Sequence, residues 1–166
     1  MVEQMLRKVI SGGQTGVDRA GLDAAREAGL PTGGYCAKGR LAEDGVMPEI
    51  SPVSEQESQL SSIRTNKNVV TSDGTLILNK GNLCGGTFRT QEFAAKHGKP
   101  CLGVQLDAAQ VIKQELVLDW LEKQEIKVLT IAGPRESKCP DGIYNEARLY
   151  LQALFSLAKD HRTDPA

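Results

Sequence analysis

Lys8-Val-Ile-Ser-Gly-Gly-Gln-Thr-Gly-Val-Asp18 is the stretch that decides the fold. Val9-Ile10 reads as an apolar strand, and Gly12-Gly13 breaks it. A helix is expected to follow from Val17 to Ala28. Its apolar face, Val17, Gly21, Ala24 and Ala28, recurs at helical spacing, and its small residues suit close packing against a sheet. Gly29 closes this helix and Pro31 prevents its continuation. A loop between a buried strand and a helix start suits an anionic ligand. Glycines let a ligand approach the main chain, and the unpaired N–H groups of the following helix favour negative charge. Gly12, Gly13, Gln14, Thr15 and Gly16 are therefore candidate ligand contacts, with Gln14 and Thr15 adding side-chain donors. Asp18 is discordant, because its carboxylate repels phosphate; it either caps the helix or binds a hydroxyl or amine. The pattern is neither G-x-G-x-x-G nor a Walker A loop, and without the Gly-Lys-Ser/Thr ending nucleoside triphosphate hydrolysis is disfavoured.

Outward from this loop, Gly34–Ala37 is a short strand leading to Lys38-Gly39-Arg40. Residues 41–72 are interrupted by Pro48 and Pro52 and are polar from Ser54 to Ser62; some helix is expected there, with Leu60 and Ile63 toward a core. Thr75–Asn79 reads as a buried strand, and Cys84-Gly-Gly-Thr87 opens a helix over Phe88–His97. Cys101–Leu106 reads as another buried strand. Asp107 is the expected N-cap of a helix from Ala108 to Lys123, with Ile112, Leu116, Val117, Trp120 and Leu121 on one face. Ile126–Ala132 is the last strand. Asp141 is expected to cap a final helix that turns Ile143, Ala147, Tyr150, Leu151, Leu154 and Ala158 inward. Strands and helices alternate, and the strands are apolar throughout. That pattern predicts a single α/β domain over residues 1–166, a mainly parallel sheet flanked by helices on both faces. The tail at 160–166 is expected to fray.

Composition narrows the function. Twenty basic and 21 acidic residues give a formal net charge of -1, which lacks the basic footprint that nucleic-acid binding requires. Aromatic residues make up only 4%, too few for stacking platforms on single strands. No apolar run reaches the length of about 18 residues that suggests a membrane span. The N-terminal Met-Val-Glu-Gln-Met-Leu-Arg-Lys has no signal-peptide core, so a cytoplasmic protein is expected. Cys36, Cys84, Cys101 and Cys139 form no C-x-x-C pair, and His97 and His161 are the two histidines. Neither zinc nor any other metal site is expected, and the thiols are expected to be free.

In open α/β sheets ligands bind outside the carboxyl ends of the strands. Two further loops fall there. Gly85-Gly86-Thr87 again feeds a helix; Thr87 and Thr90 can donate to phosphate oxygens and Arg89 can pair with them. Glu92 lies in the first turn of that helix, as a capping carboxylate or as a catalytic acid/base. Gly133-Pro-Arg-Glu-Ser-Lys138 offers Arg135, Ser137 and Lys138, set against the alternative of ordinary solvated loop charges. Lys38 and Arg40 add positive potential, which Glu43-Asp44 offsets.

Gly12-Gly-Gln-Thr-Gly-Val-Asp-Arg-Ala20 resembles the N-terminal signature of the molybdenum cofactor carrier family, a circularly permuted branch of the SLOG superfamily of Rossmann-like nucleotide-binding proteins. The resemblance continues in order through Gly34–Arg40, Ala42–Gly45, Arg64-Thr-Asn-Lys-Asn68, Ser72–Ile77, Gly85-Gly-Thr87, Gly98-Lys-Pro100 and Ala132-Gly-Pro-Arg-Glu-Ser137. It implies a Rossmann-like fold, a molybdenum cofactor (molybdopterin) or nucleotide as ligand, and a homo-oligomer, dimer or tetramer. Carried over to this chain, it puts Gly12–Thr15, Gly85–Thr87 and Arg135 in the binding cleft. A related branch, the lysine-decarboxylase-like phosphoribohydrolases, uses Pro-Gly-Gly-x-Gly-Thr-x-x-Glu. Gly85, Gly86 and Glu92 match it, whereas Cys84 replaces the proline and Phe88-Arg89 the Gly-Thr. Two functions follow as expectations. The first is a carrier for a phosphorylated small molecule, with no nucleophile–base pair in view. The alternative is a phosphoribohydrolase that releases free base from a nucleoside monophosphate by means of Glu92 and Arg89.

Overall fold

Five short strands whose carboxyl ends all face the same edge make the central sheet. The computed structural model describes residues 3–36, 41–46, 54–55, 61–83, 85–160 and 162–163. In chain order these carry β1 (Glu3–Gln4), β2 (Lys8–Ile10), α1 (Val17–Glu27), β3 (Thr32–Gly33), β4 (Tyr35–Cys36), β5 (Leu41–Ala42), β6 (Gly45–Val46) and β7 (Ser54–Glu55). There follow α2 (Ser61–Thr71), β8 (Gly74–Asn79), α3 (Gly85–Lys96), β9 (Cys101–Gln105), α4 (Gln114–Lys123), β10 (Val128–Ala132), a single 3-10 turn (Glu136–Lys138), α5 (Tyr144–Asp160) and β11 (Arg162–Thr163).

The sheet order is β3-β2-β10-β8-β9, and every pairing in it is parallel. The α/β fold expected from the alternation is therefore present, Rossmann-like in arrangement. Helices α1, α4 and α5 pack together, and α2 packs on α3. The core between sheet and helices holds Val9, Leu76, Leu78, Leu129, Ile131 and, from α5, Leu151 and Phe155, all fully buried. All six inward positions expected on the last helix are buried, and Phe155 joins them. Small strand pairs lie outside the main sheet: β5 and β6 form an antiparallel hairpin, and β1 pairs antiparallel with β11 near the other end of the chain.

The structure corrects five expectations. Cys101–Leu106 is not a buried strand. β9 stands at the sheet edge with β8 as its one strand neighbour, and only Val104 along it is buried. The helix expected from Ala108 begins at Gln114 with Lys113 as its N-cap; Ile112 precedes it, Leu116 is 61% exposed, and the buried residues are Val117, Leu118 and Leu121. Asp107 does not cap it, because its carboxylate accepts the Gly81 N–H and the Gln105 side-chain amide, both at 2.8 Å. Asp141 does not cap the final helix either. Glu136 reaches over from the 3-10 turn, and its Oε1 accepts the N–H groups of Ile143 at 2.6 Å and Tyr144 at 2.8 Å. Finally, α3 starts at Gly85 rather than Phe88, so the glycines of the second loop belong to its first turn.

Among the described residues, no helix is long and apolar enough to cross a membrane. The expected helix within residues 41–72 is α2; the side chains of Leu60 and Ile63 lie outside the described residues.

Candidate functional site

The chain leaves β2 for β3 in one direction along the sheet and leaves β8 for β9 in the other, while β10 fills the place between β2 and β8. Loops that part at such a point leave a crevice at the carboxyl edge of the sheet. The loops in question are those after β2, β8 and β10, which are the three singled out for their glycines.

The first and third loops form one body. Ser11 Oγ donates to the Asp18 carbonyl at 2.9 Å and accepts the Gly13 N–H at 3.2 Å, which folds the loop after β2 back on the start of α1. Gly16 has φ +79°, and a Cβ there would stand 2.4 Å from the Pro134 carbonyl oxygen, so no other residue fits this crossing without strain. The Val17 N–H donates to that same carbonyl at 3.3 Å, and the Glu136 N–H donates to Thr15 Oγ1 at 3.2 Å.

The β5–β6 hairpin is pinned to this body by its acidic turn. Glu43 accepts hydrogen bonds from Thr15 Oγ1, from the Ser137 N–H at 3.1 Å and from Ser137 Oγ at 2.5 Å. It also pairs with Arg135 at 3.4 Å, and its own N–H donates to Gln14 Oε1 at 2.8 Å. Burial pushes the Glu43 carboxyl up, but the Ser137 and Thr15 hydrogen bonds and the Arg135 charge outweigh it and hold the group below the usual carboxylate range. Asp44 pairs with Arg19 at 3.1 Å, and Arg19 also donates to the Gly13 carbonyl. Thr15, Arg135 and Ser137, three of the donors expected to face a ligand anion, thus already meet a carboxylate of the chain itself.

The cleft beside this body has a volume of about 900 Å³. Gly12, Gln14, Asp18 and Arg135 line one side of it, and Gly85, Gly86, Thr87 and Thr90 another. Gly13, Thr15, Gly16 and Ser137 support the wall and are not among its described lining residues. Thr90 lines the cleft, but its hydroxyl is donated to the Gly86 carbonyl at 2.9 Å. Arg89 and Glu92 are exposed on α3 and are likewise not among the lining residues. Lys38, Arg40 and Cys84 lie outside the described residues. Among the described residues, no group of His, Cys, Asp and Glu is arranged to hold a metal ion.

The fold also brings in residues with no local signal in the sequence. Arg64 and Asn68 enter from α2, Asn79 and Lys80 from the end of β8, and Asp107 from the end of β9. Asn68 is committed to structure: its side chain accepts the Tyr35 N–H at 2.8 Å and donates to the Tyr35 carbonyl at 3.1 Å. Lys80 pairs with Glu146 and donates to the Gly142 carbonyl at 3.2 Å. Arg64 was visible only as part of a block of resemblance, because its partner loops lie far away in sequence.

Asp18 occupies the most unusual position. It is 9% exposed, and its Oδ2 accepts the Gln14 N–H at 3.4 Å. Burial pushes its carboxyl up to about 6, against the opposing pull of Arg64, the Gln14 N–H and Arg19. The Gly12 α-carbon lies between them. A Cβ on Gly12 would stand 3.0 Å from Arg64 Nε and 3.1 Å from Asp18 Oδ2, so glycine is what lets both groups crowd that point.

Comparison with known proteins points the same way. The circularly permuted YpsA SLOG family matches residues 9–155. A crystal structure at 1.45 Å resolution from Syntrophus aciditrophicus SB, named "Putative molybdenum carrier protein", is 44% identical to this chain. The match covers 93% of this chain and 97% of that one, with a TM-score of 0.82. No curated protein matches.

Proposed function

Because the chain belongs to the circularly permuted YpsA SLOG family, we propose that it carries a phosphorylated small molecule, a molybdenum cofactor or a nucleotide-like ligand, in the cleft at the carboxyl edge of its sheet. The observation that carries this reading is the cleft itself: about 900 Å³, within the usual size of small-molecule sites, at the point where the sheet connections diverge. The name of the Syntrophus protein supports a molybdenum-related cargo.

The phosphate end of the ligand belongs at the first turn of α3. Its leading N–H groups have no partner within the helix and carry the positive end of its dipole. Gly85 and Gly86 are exposed there with open space around their α-carbons, and Thr87 and Lys138 line the same cleft. The Asp18 end repels phosphate and is left for the rest of the molecule. Hydrolysis of a nucleoside monophosphate is not favoured, since Glu92 and Arg89 stand on the exposed side of α3. A homo-oligomer, dimer or tetramer, completes the proposal.

Native mass spectrometry of gently purified protein tests it, together with equilibrium binding of nucleoside monophosphates and a watch for free base. A phosphorylated small molecule is expected to co-purify or to bind, and Thr87→Val is expected to weaken binding about 10- to 100-fold, the loss of one hydrogen bond to a charged group. Sustained release of free base, or failure of every phosphorylated ligand to bind, overturns the carrier reading. Light scattering reporting a monomer removes the oligomer from it.

A further inference from the structure

A carboxylate that stays buried at the wall of a ligand cleft needs a reason, because burying an unpaired charge is costly. Asp18 forms no ion pair within 4.0 Å among the described residues, and the hydrogen bond its carboxylate accepts from the Gln14 N–H is long at 3.4 Å. A carboxylate has about four lone-pair sites, so capping the loop uses little of its capacity. The remaining capacity borders the cleft. Beside it, about the same Gly12 α-carbon, lies the Arg64 guanidinium, a donor with no acceptor function.

Resting on the carrier reading, we infer that Asp18 and Arg64 recognise the heterocycle of the ligand, Asp18 accepting two adjacent N–H groups and Arg64 donating to a neighbouring ring carbonyl. The edge that fits is a 2-amino-4-oxo pyrimidine, shared by guanine and by pterins: ring N–H and exocyclic amine side by side, carbonyl next to them. Adenine offers an acceptor nitrogen where Asp18 requires a donor. Hypoxanthine keeps the carbonyl and the ring N–H but lacks the amine. Gly12 keeps this end open, and like-charge repulsion from Asp18 orients the phosphate toward the first turn of α3, which lines the same cleft.

The test is equilibrium binding of guanosine, inosine, xanthosine and adenosine monophosphates to the full chain. Guanosine monophosphate is expected to bind about 10- to 100-fold tighter than inosine monophosphate, the worth of a hydrogen bond to a charged group. Asp18→Asn is expected to reverse the preference, with xanthosine monophosphate tightest, because the new amide donates to the 2-oxo group where the carboxylate accepted from the 2-amine. Arg64→Met is expected to weaken the guanosine and inosine ligands equally, since both keep the carbonyl. Equal affinity for the guanosine and inosine ligands, or Asp18→Asn lowering all affinities without a switch, overturns this inference and leaves the carrier reading standing. Failure of all four to bind overturns this inference, and the carrier reading falls with it only where no phosphorylated small molecule co-purifies with the protein either. The switch to xanthosine is a gain that a merely structural role for Asp18 does not produce.

Discussion

At the scale of the residue, Asp18 links stability to ligand recognition. Its folded value of about 6 lies above the ordinary 3.8, so between these limits the folded state holds the proton more tightly than the unfolded chain does. The contribution of this side chain is therefore most favourable below pH 3.8, falls as pH rises through 6, and stays low above it. The difference corresponds to ~3 kcal/mol. Asp18→Asn keeps an oxygen for the Gln14 N–H and removes the charge. It is expected to be more stable than the native protein at pH 7.5 by up to about that amount, with the gap closing toward pH 4. Urea denaturation at several pH values measures it, and a gap independent of pH rules out the buried charge as its cause. The discord of Asp18 with a phosphate loop was visible in the sequence, since a carboxylate among glycines has few reasons to be there. Its neighbour Arg64 stands out only within a block of resemblance, because a separation of 46 positions carries no periodicity that would pair the two.

At the scale of the element, local patterns worked where a helix answers to its own residues and failed where a cap comes from elsewhere. The faces of α1 and α5 follow helical spacing and are buried, except that Ala28 is the half-buried C-cap of α1 rather than part of it. Asp107 and Asp141 had the right residue type in the right place for N-caps, yet each was overtaken by a nonlocal partner. Asp107 bonds Gly81 across the β8–β9 edge, and Glu136 takes the Ile143 and Tyr144 N–H groups. The start of α5 thus depends on a side chain seven residues upstream of its first capped N–H. Glu136→Ala is expected to cost about 1–2 kcal/mol, the scale of a lost cap, and to loosen the loop after β10 that borders the cleft. Thermal unfolding combined with hydrogen exchange at Ile143 and Tyr144 checks both effects; unchanged protection there refutes the capping role. Asp141→Ala is the control, with no cap to lose.

At the scale of the molecule, alternation of apolar strands with helices announced a parallel sheet, but not the order β3-β2-β10-β8-β9. Order depends on which strands meet across long separations, and identical apolar runs do not encode that choice. The loops of the cleft were recognisable one by one; that two of them fuse through Thr15, Gly16 and Pro134 follows only from β2 and β10 being neighbours. The same neighbourhood seats the Glu43 hairpin on both. Glu43 is in effect a tethered competitor. A carboxylate held on a short loop acts at an effective concentration on the order of millimolar or more, so a free anion reaches Thr15, Arg135 and Ser137 only by outbidding it. Inorganic phosphate, with one charged group and no second anchor, is expected to be held off those donors. Phosphate titrations followed by melting temperature are expected to show Glu43→Gln responding at lower concentration than the native protein, and coincident curves would show that no such competition exists. The hairpin would thereby keep those donors satisfied from within the chain and leave the first turn of α3 as the open seat for an anion.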